Sequence, residues 1–148
     1  MSNTYSFKRG QIIFEQGAKE NYMYDIISGK VGIYSDWGGS NETELAVVEN
    51  EFIGDMGLVN SRKRIATAVA LTDCELERIE QDGLEAYLEK NNDKAIALVH
   101  QLYKRLSLTE DELIDSCRVI KDFLSSEEAD EKKPGLLEKM KRLAGIVK

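Results

Sequence analysis

Between residues 6 and 79 apolar side chains come in short bursts broken by Gly, Asn, Asp and Ser, whereas from residue 92 they recur at helical spacing. The bursts at 11–14, 22–27, 30–35, 44–48, 65–70 and 75–79 hold the β-branched and aromatic residues and predict six strands. Trp37-Gly38-Gly39-Ser40-Asn41 is a turn cluster, which predicts an exposed hairpin loop between two of them. Short strands at this spacing argue for a sandwich or barrel. The period changes at 81–88, where a short helix is predicted with Gln81 or Asp82 near its cap. A long helix follows over 92–124, a stretch without Pro or Gly. At about 1.5 Å per residue it would run roughly 50 Å, more than one face of a small β domain can cover.

Val99, Leu102, Leu106, Leu113, Cys117, Ile120 and Leu124 form a heptad-like seam along that helix, interrupted around Thr109 and Glu110. Its first half is expected to pack on the chain's own strands. Beyond about Leu113 the seam needs another partner, and a parallel helix from a second copy is the economical choice. Residues 125–134 read as a charged linker holding the only proline, and 135–148 as an amphipathic helix. Leu136, Leu137, Met140, Leu143, Ala144 and Val147 are its apolar side, and Lys139, Lys141, Arg142 and Lys148 make it basic. It could fold back on a dimer, stay partly disordered, or dock a partner or a membrane surface.

Length and composition narrow the class. At 148 residues the chain is one domain with an appended element, and 42% hydrophobic with 32% charged residues is ordinary for a soluble globular protein. A net charge of −7 argues against nonspecific nucleic-acid binding, which needs a basic footprint. No apolar run approaches the roughly 20 residues of a membrane span, and residues 1–9 lack the apolar region of a signal peptide. Cys74 and Cys117 are far apart in apolar contexts and read as reduced core thiols of a cytoplasmic protein.

The candidate chemistry lies in Phe52-Ile53-Gly54-Asp55-Met56-Gly57-Leu58 and in Arg64-Ile65-Ala66-Thr67-Ala68. An arginine fork can take a phosphate bidentately. A carboxylate only accepts, so Asp55 calls for a donor such as a sugar hydroxyl. The glycines let backbone amides approach a ligand and form an anion-binding concavity. This segment resembles the phosphate-binding cassette of cyclic nucleotide-binding domains, found in the catabolite activator family, protein kinase regulatory subunits and cyclic nucleotide-gated channels. Gly10-Gln11-Ile12-Ile13-Phe14-Glu15-Gln16-Gly17 and Tyr24-Asp25-Ile26-Ile27-Ser28-Gly29-Lys30-Val31-Gly32-Ile33 resemble the paired early strands of the same family. The resemblance runs from about residue 7 to 79.

It implies an α+β, mainly β fold: a double-stranded, jelly-roll-like β-roll followed by a long C-terminal helix. The domain would cover 1–124, with the roll over about 6–80 and helices over 81–124. It further implies that Arg64 binds the cyclic phosphate, with backbone amides at Gly57 and Ile65 completing the cradle. Asp55 would accept from the ribose 2′-hydroxyl, supported by Gly54. Base contacts would come from the long helix, at Tyr103, Ser107 or Thr109. Three departures stand out: Asp55 replaces the usual glutamate, Lys63 a common proline, and Ile65 a small residue. The missing hydroxyl at Ile65 leans toward cAMP over cGMP. His100 reads as a packed or half-exposed helix residue, and Glu15, Asp25, Glu42 and Glu44 read as solvated charges.

The function expected is a stand-alone regulatory module, homodimeric through its long helix, acting on a separate output protein. No cofactor, metal site or catalytic residue is expected, since one histidine cannot furnish a metal-dependent β-roll enzyme. The roughly 24 residues behind the long helix are fewer than a winged helix-turn-helix needs, so neither direct DNA binding nor a membrane role is expected. The alternative is a relative that kept the fold, lost the nucleotide, and serves as an interaction module or binds another small anion.

Overall fold

The computed structural model describes residues 3–60 and 62–127. Eight strands form the roll: β1 (Thr4–Phe7), β2 (Ile12–Phe14), β3 (Tyr22–Ser28), β4 (Val31–Ser35), β5 (Thr43–Val48), β6 (Phe52–Ile53), β7 (Thr67–Ala70) and β8 (Cys74–Glu80). A short helix, α1 (Asp55–Asn60), lies between β6 and β7. Behind β8, a 3-10 turn (Gln81–Gly83) leads into α2 (Leu84–Lys90) and α3 (Asn92–Glu127). The strands make two antiparallel four-stranded sheets, ordered β1-β8-β3-β6 and β2-β7-β4-β5. This is the β-roll followed by a long helix that the sequence implies. All six expected strands form, and β1 and β6 are additional.

The inner faces of both sheets share one core, with Tyr24, Ile26, Val31, Ala68 and Leu76 among its members. Strand β3 is buried on both sides because its alternation serves two cores. Tyr24 and Ile26 point into the roll, while Met23 joins Phe52, Leu58 and Ile79 in a second cluster covered by Leu84, Tyr87 and Leu98 of the helices. Burying each large apolar side chain of this kind contributes about 1.5–3 kcal/mol.

Asp25 follows Met23's side of the strand and is fully buried, not solvated as the sequence suggested. Tyr87 on α2 donates its hydroxyl to the Asp25 carboxylate at 2.7 Å, and Lys94 on α3 places Nζ 2.9 Å from it. The charge is tolerated because it is paired and hydrogen-bonded. Glu15, Glu42 and Glu44 are exposed as expected. Glu42 accepts from the Gly38 amide at 2.8 Å inside the predicted hairpin loop.

Two further expectations need correction. The side chains of α3 that meet the roll are Lys94, Leu98 and Gln101, whereas Val99, Leu102 and Leu106 are exposed. The polar residues reach that face because they have polar partners there: the buried Asp25 carboxylate on inner strand β3 for Lys94, and the Phe52 backbone of edge strand β6 for Gln101. Cys74 is a buried free thiol, but Cys117 is exposed. Gln81 and Asp82 stand near the cap of the short helix as expected, just before Gly83, which holds the N-cap of α2 without a side-chain hydrogen bond.

The chain divides into two compact units, 1–101 and 102 onward. The described part of the second is the remainder of α3, on which Leu113, Ile120 and Leu124 are all exposed. That helix runs on through Ser125, Ser126 and Glu127. The rest of the predicted linker and the predicted helix over 135–148 lie outside the described residues. No described helix is long and apolar enough to cross a membrane.

Candidate functional site

The cassette is organised around Arg64, whose backbone is fixed first. Gly17 N–H donates to the Arg64 carbonyl at 2.8 Å, and Arg64 N–H donates to the Ala18 carbonyl at 2.8 Å. Gly17 sits at φ +85°, a left-handed conformation that glycine adopts without steric cost. The turn behind β2 can therefore bring its amide to the arginine.

The side chain is then held at every nitrogen. Nε donates to Glu20 Oε2 at 3.2 Å, Nη1 to the Gly54 carbonyl at 2.7 Å and Nη2 to the Tyr22 carbonyl at 2.6 Å. The guanidinium carbon lies 4.4 Å from the centre of the Phe14 ring. Arg64 is 4% exposed, so its charge is almost wholly removed from bulk water. Glu20 is its counter-charge, with a side chain 28% exposed. Three of the five N–H groups donate among the described residues, which leaves one hydrogen on each terminal nitrogen for an incoming anion.

Both cassette glycines are explained by this arginine. A Cβ on Gly57 would lie 2.8 Å from Nη1 and 3.0 Å from the Glu20 carbonyl. A Cβ on Gly54 would collide with the same nitrogen, and Gly54 also adopts φ +80°. The Gly54 carbonyl accepts from Arg64 and, at 3.2 Å, from the Gly57 amide. The amide expected to face a phosphate is therefore turned toward its own loop here. Asp55 begins α1 and is buried. Ile65 is 70% exposed beside buried Arg64 and Ala66.

Gly54, Gly57 and Arg64 are thus brought together, with Asp55 between the two glycines at the head of α1. Tyr103, Ser107 and Thr109 belong to the separate unit from 102 onward, and the Thr109 hydroxyl donates to the Arg105 carbonyl at 2.9 Å. Sequence reasoning missed Glu20 and Tyr22. Tyr22 lends its carbonyl to Arg64, and its ring has the Arg78 guanidinium over it at 3.6 Å. Burial, then the hydrogen bond to Glu20, pushes the Tyr22 phenol well above the ordinary tyrosine range. The one signal for either residue was position, just beyond the Gly17 turn at the entry to β3.

A family model described as cyclic nucleotide-binding domain matches residues 4–91. Among curated proteins, the cyclic AMP receptor protein of Thermus thermophilus is 32% identical over 124 residues, covering 83% of this chain and 54% of that one. The cAMP-dependent protein kinase regulatory subunit of Dictyostelium discoideum is 29% identical, over 69% of this chain and 32% of its own length. Among solved structures, the Thermus thermophilus catabolite activator protein aligns with a TM-score of 0.64 at 31% identity, over 86% of this chain and 57% of that one. The chain spans about half the length of the first curated relatives it matches.

Proposed function

The chain belongs to the cyclic nucleotide-binding domain family, and from that premise we propose that it is a regulatory module binding a cyclic nucleotide, cAMP ahead of cGMP. The observation that carries this reading is the desolvated Arg64, seated on two glycines with one N–H on each terminal nitrogen that no described residue takes. Such a fork suits one doubly oxygenated anion, the cyclic phosphate. Asp55, Gly54, Gly57 and the Ile65 amide are assigned to the ribose and phosphate, and Tyr103, Ser107 or Thr109 to the base. Because Arg64 is only 4% exposed, capture of an anion calls for local movement of the groups around its guanidinium. The role is binding without turnover, and the net charge of −7 supports an output other than direct contact with DNA.

The exposed apolar positions of α3, including Leu113, Ile120 and Leu124, support homodimerisation through that helix. A separate output protein would meet the dimer seam or the 135–147 segment.

One observation favours a second reading. Arg64 already has Glu20, Gly54 and Tyr22 as partners, so the fold is satisfied without a ligand. A relative that lost the nucleotide would then act as an interaction module. Thermal unfolding separates the two: ligand at a hundred times its dissociation constant stabilises by about 2.7 kcal/mol. A raised Tm with cAMP and none with AMP supports the sensor. An unchanged Tm with cAMP and cGMP favours the interaction module.

A further inference from the structure

Strand β6 is two residues long and sits at the open edge of its sheet. Its Phe52 would present an unpaired amide and carbonyl there. Gln101 of α3 supplies both partners: Phe52 N–H donates to Gln101 Oε1 at 3.0 Å, and Gln101 Nε2 donates to the Phe52 carbonyl at 2.7 Å. One side-chain amide therefore acts as a surrogate neighbouring strand.

The contact is in register with a second one. Asp25 is the cross-strand partner of Phe52 in the β3–β6 pair, and Asp25 is held by Lys94, two helical turns before Gln101 on the same face of α3. The helix thus grips adjacent positions of the sheet at two points of unequal strength. Asp25 is fully buried and bonded to Lys94 and Tyr87, and charge-assisted bonds are roughly twice as strong as neutral ones. Gln101 makes two neutral bonds to a strand end.

Phe52 also lies two residues from Gly54, whose carbonyl accepts from Arg64 Nη1. From guanidinium to α3 the path is one hydrogen bond, two residues of backbone and a two-point amide clamp. We propose that Gln101 is the positioning residue through which α3 senses the state of the Arg64 cassette, with Asp25, Tyr87 and Lys94 as the fixed anchor. This rests on the sensor reading above and specifies how that site is coupled to its output. A ligand phosphate that draws Arg64 away from Gly54 alters the strand end that Gln101 holds, and the altered grip is passed into the helix from Leu102 onward.

Amide hydrogen exchange followed by mass spectrometry tests this on the full chain, with and without saturating cAMP or cGMP. In the native protein, nucleotide should change exchange in peptides covering 52–65 and in peptides of α3 beyond 102. In Gln101→Leu, the cassette change should persist while the α3 change falls to less than about a third of its native size. Gln101→Glu keeps the side-chain shape and the acceptor but loses the donor, so it should also reduce the α3 change, and it serves if Gln101→Leu does not fold. An undiminished α3 response in either folded variant overturns the proposal, as does a native protein whose cassette responds while α3 does not. No cassette response to either nucleotide in the native protein sinks the sensor reading itself, and the coupling with it.

Discussion

Gly57 lies directly against the guanidinium of Arg64: a Cβ on that glycine would come within 2.8 Å of Nη1. The other neighbour, the Glu20 carbonyl at 3.0 Å, is backbone and cannot swing away, so the arginine would have to yield. Gly57→Ala should therefore destabilise the domain by about 1–3 kcal/mol, the usual cost of overpacking. It should also displace Arg64 from the Gly54 and Tyr22 carbonyls. Urea denaturation measures the first effect and nucleotide titration the second. A variant as stable as the native protein would mean that the glycine is not a seat for the arginine.

The Asp25 cluster is expected to hold α2 to the roll. Tyr87→Phe removes one hydrogen bond to a fully buried carboxylate and leaves the ring in place. Hydrogen bonds to charged groups contribute about 1.5–3 kcal/mol, and the unfolding midpoint in urea should fall accordingly. A loss under about 0.5 kcal/mol would show that Lys94 alone suffices.

Four tyrosines should resist alkaline titration. Burial raises the phenols of Tyr22, Tyr24, Tyr34 and Tyr87 above the ordinary 10.0, and the acceptors Glu20, Glu44 and Asp25 raise Tyr22, Tyr34 and Tyr87 further. Folding thus favours the neutral form of each. The unfolded chain loses these protons first, so this contribution to stability is complete below about pH 10 and drains away as pH climbs past it. Tyrosinate absorbance should show a delayed component that appears together with loss of far-ultraviolet circular dichroism. Full titration of all tyrosines before unfolding would contradict the burial described.

The strands were legible because alternation and glycine turns survive in the sequence wherever one strand face is buried. Strand β6 was hidden because two residues carry no period. Helix α1 was hidden because it holds a glycine and spans only six residues. Asp25 was misjudged for a different reason: its partners lie 62 and 69 residues away, and nothing local marks a strand carboxylate as buried. The α3 seam was a similar case. Apolar spacing pointed at Val99, Leu102 and Leu106, yet the roll is met by Lys94, Leu98 and Gln101, because the buried partners there are a carboxylate and an open strand edge. Of the site, the glycines and Arg64 were readable as a motif. Glu20 and Tyr22, which complete the arginine's shell, were not, since each contributes through a fold-dependent approach.

The most direct test is isothermal titration of cAMP into the native protein and into Arg64→Ala, with circular dichroism to show that the variant is folded. Removing one partner of a desolvated charge pair costs about 2–5 kcal/mol, so the native protein should bind and the variant should bind about 30-fold to several thousand-fold more weakly. Equal binding by both proteins, or no heat from the native protein with either cAMP or cGMP, would contradict the account.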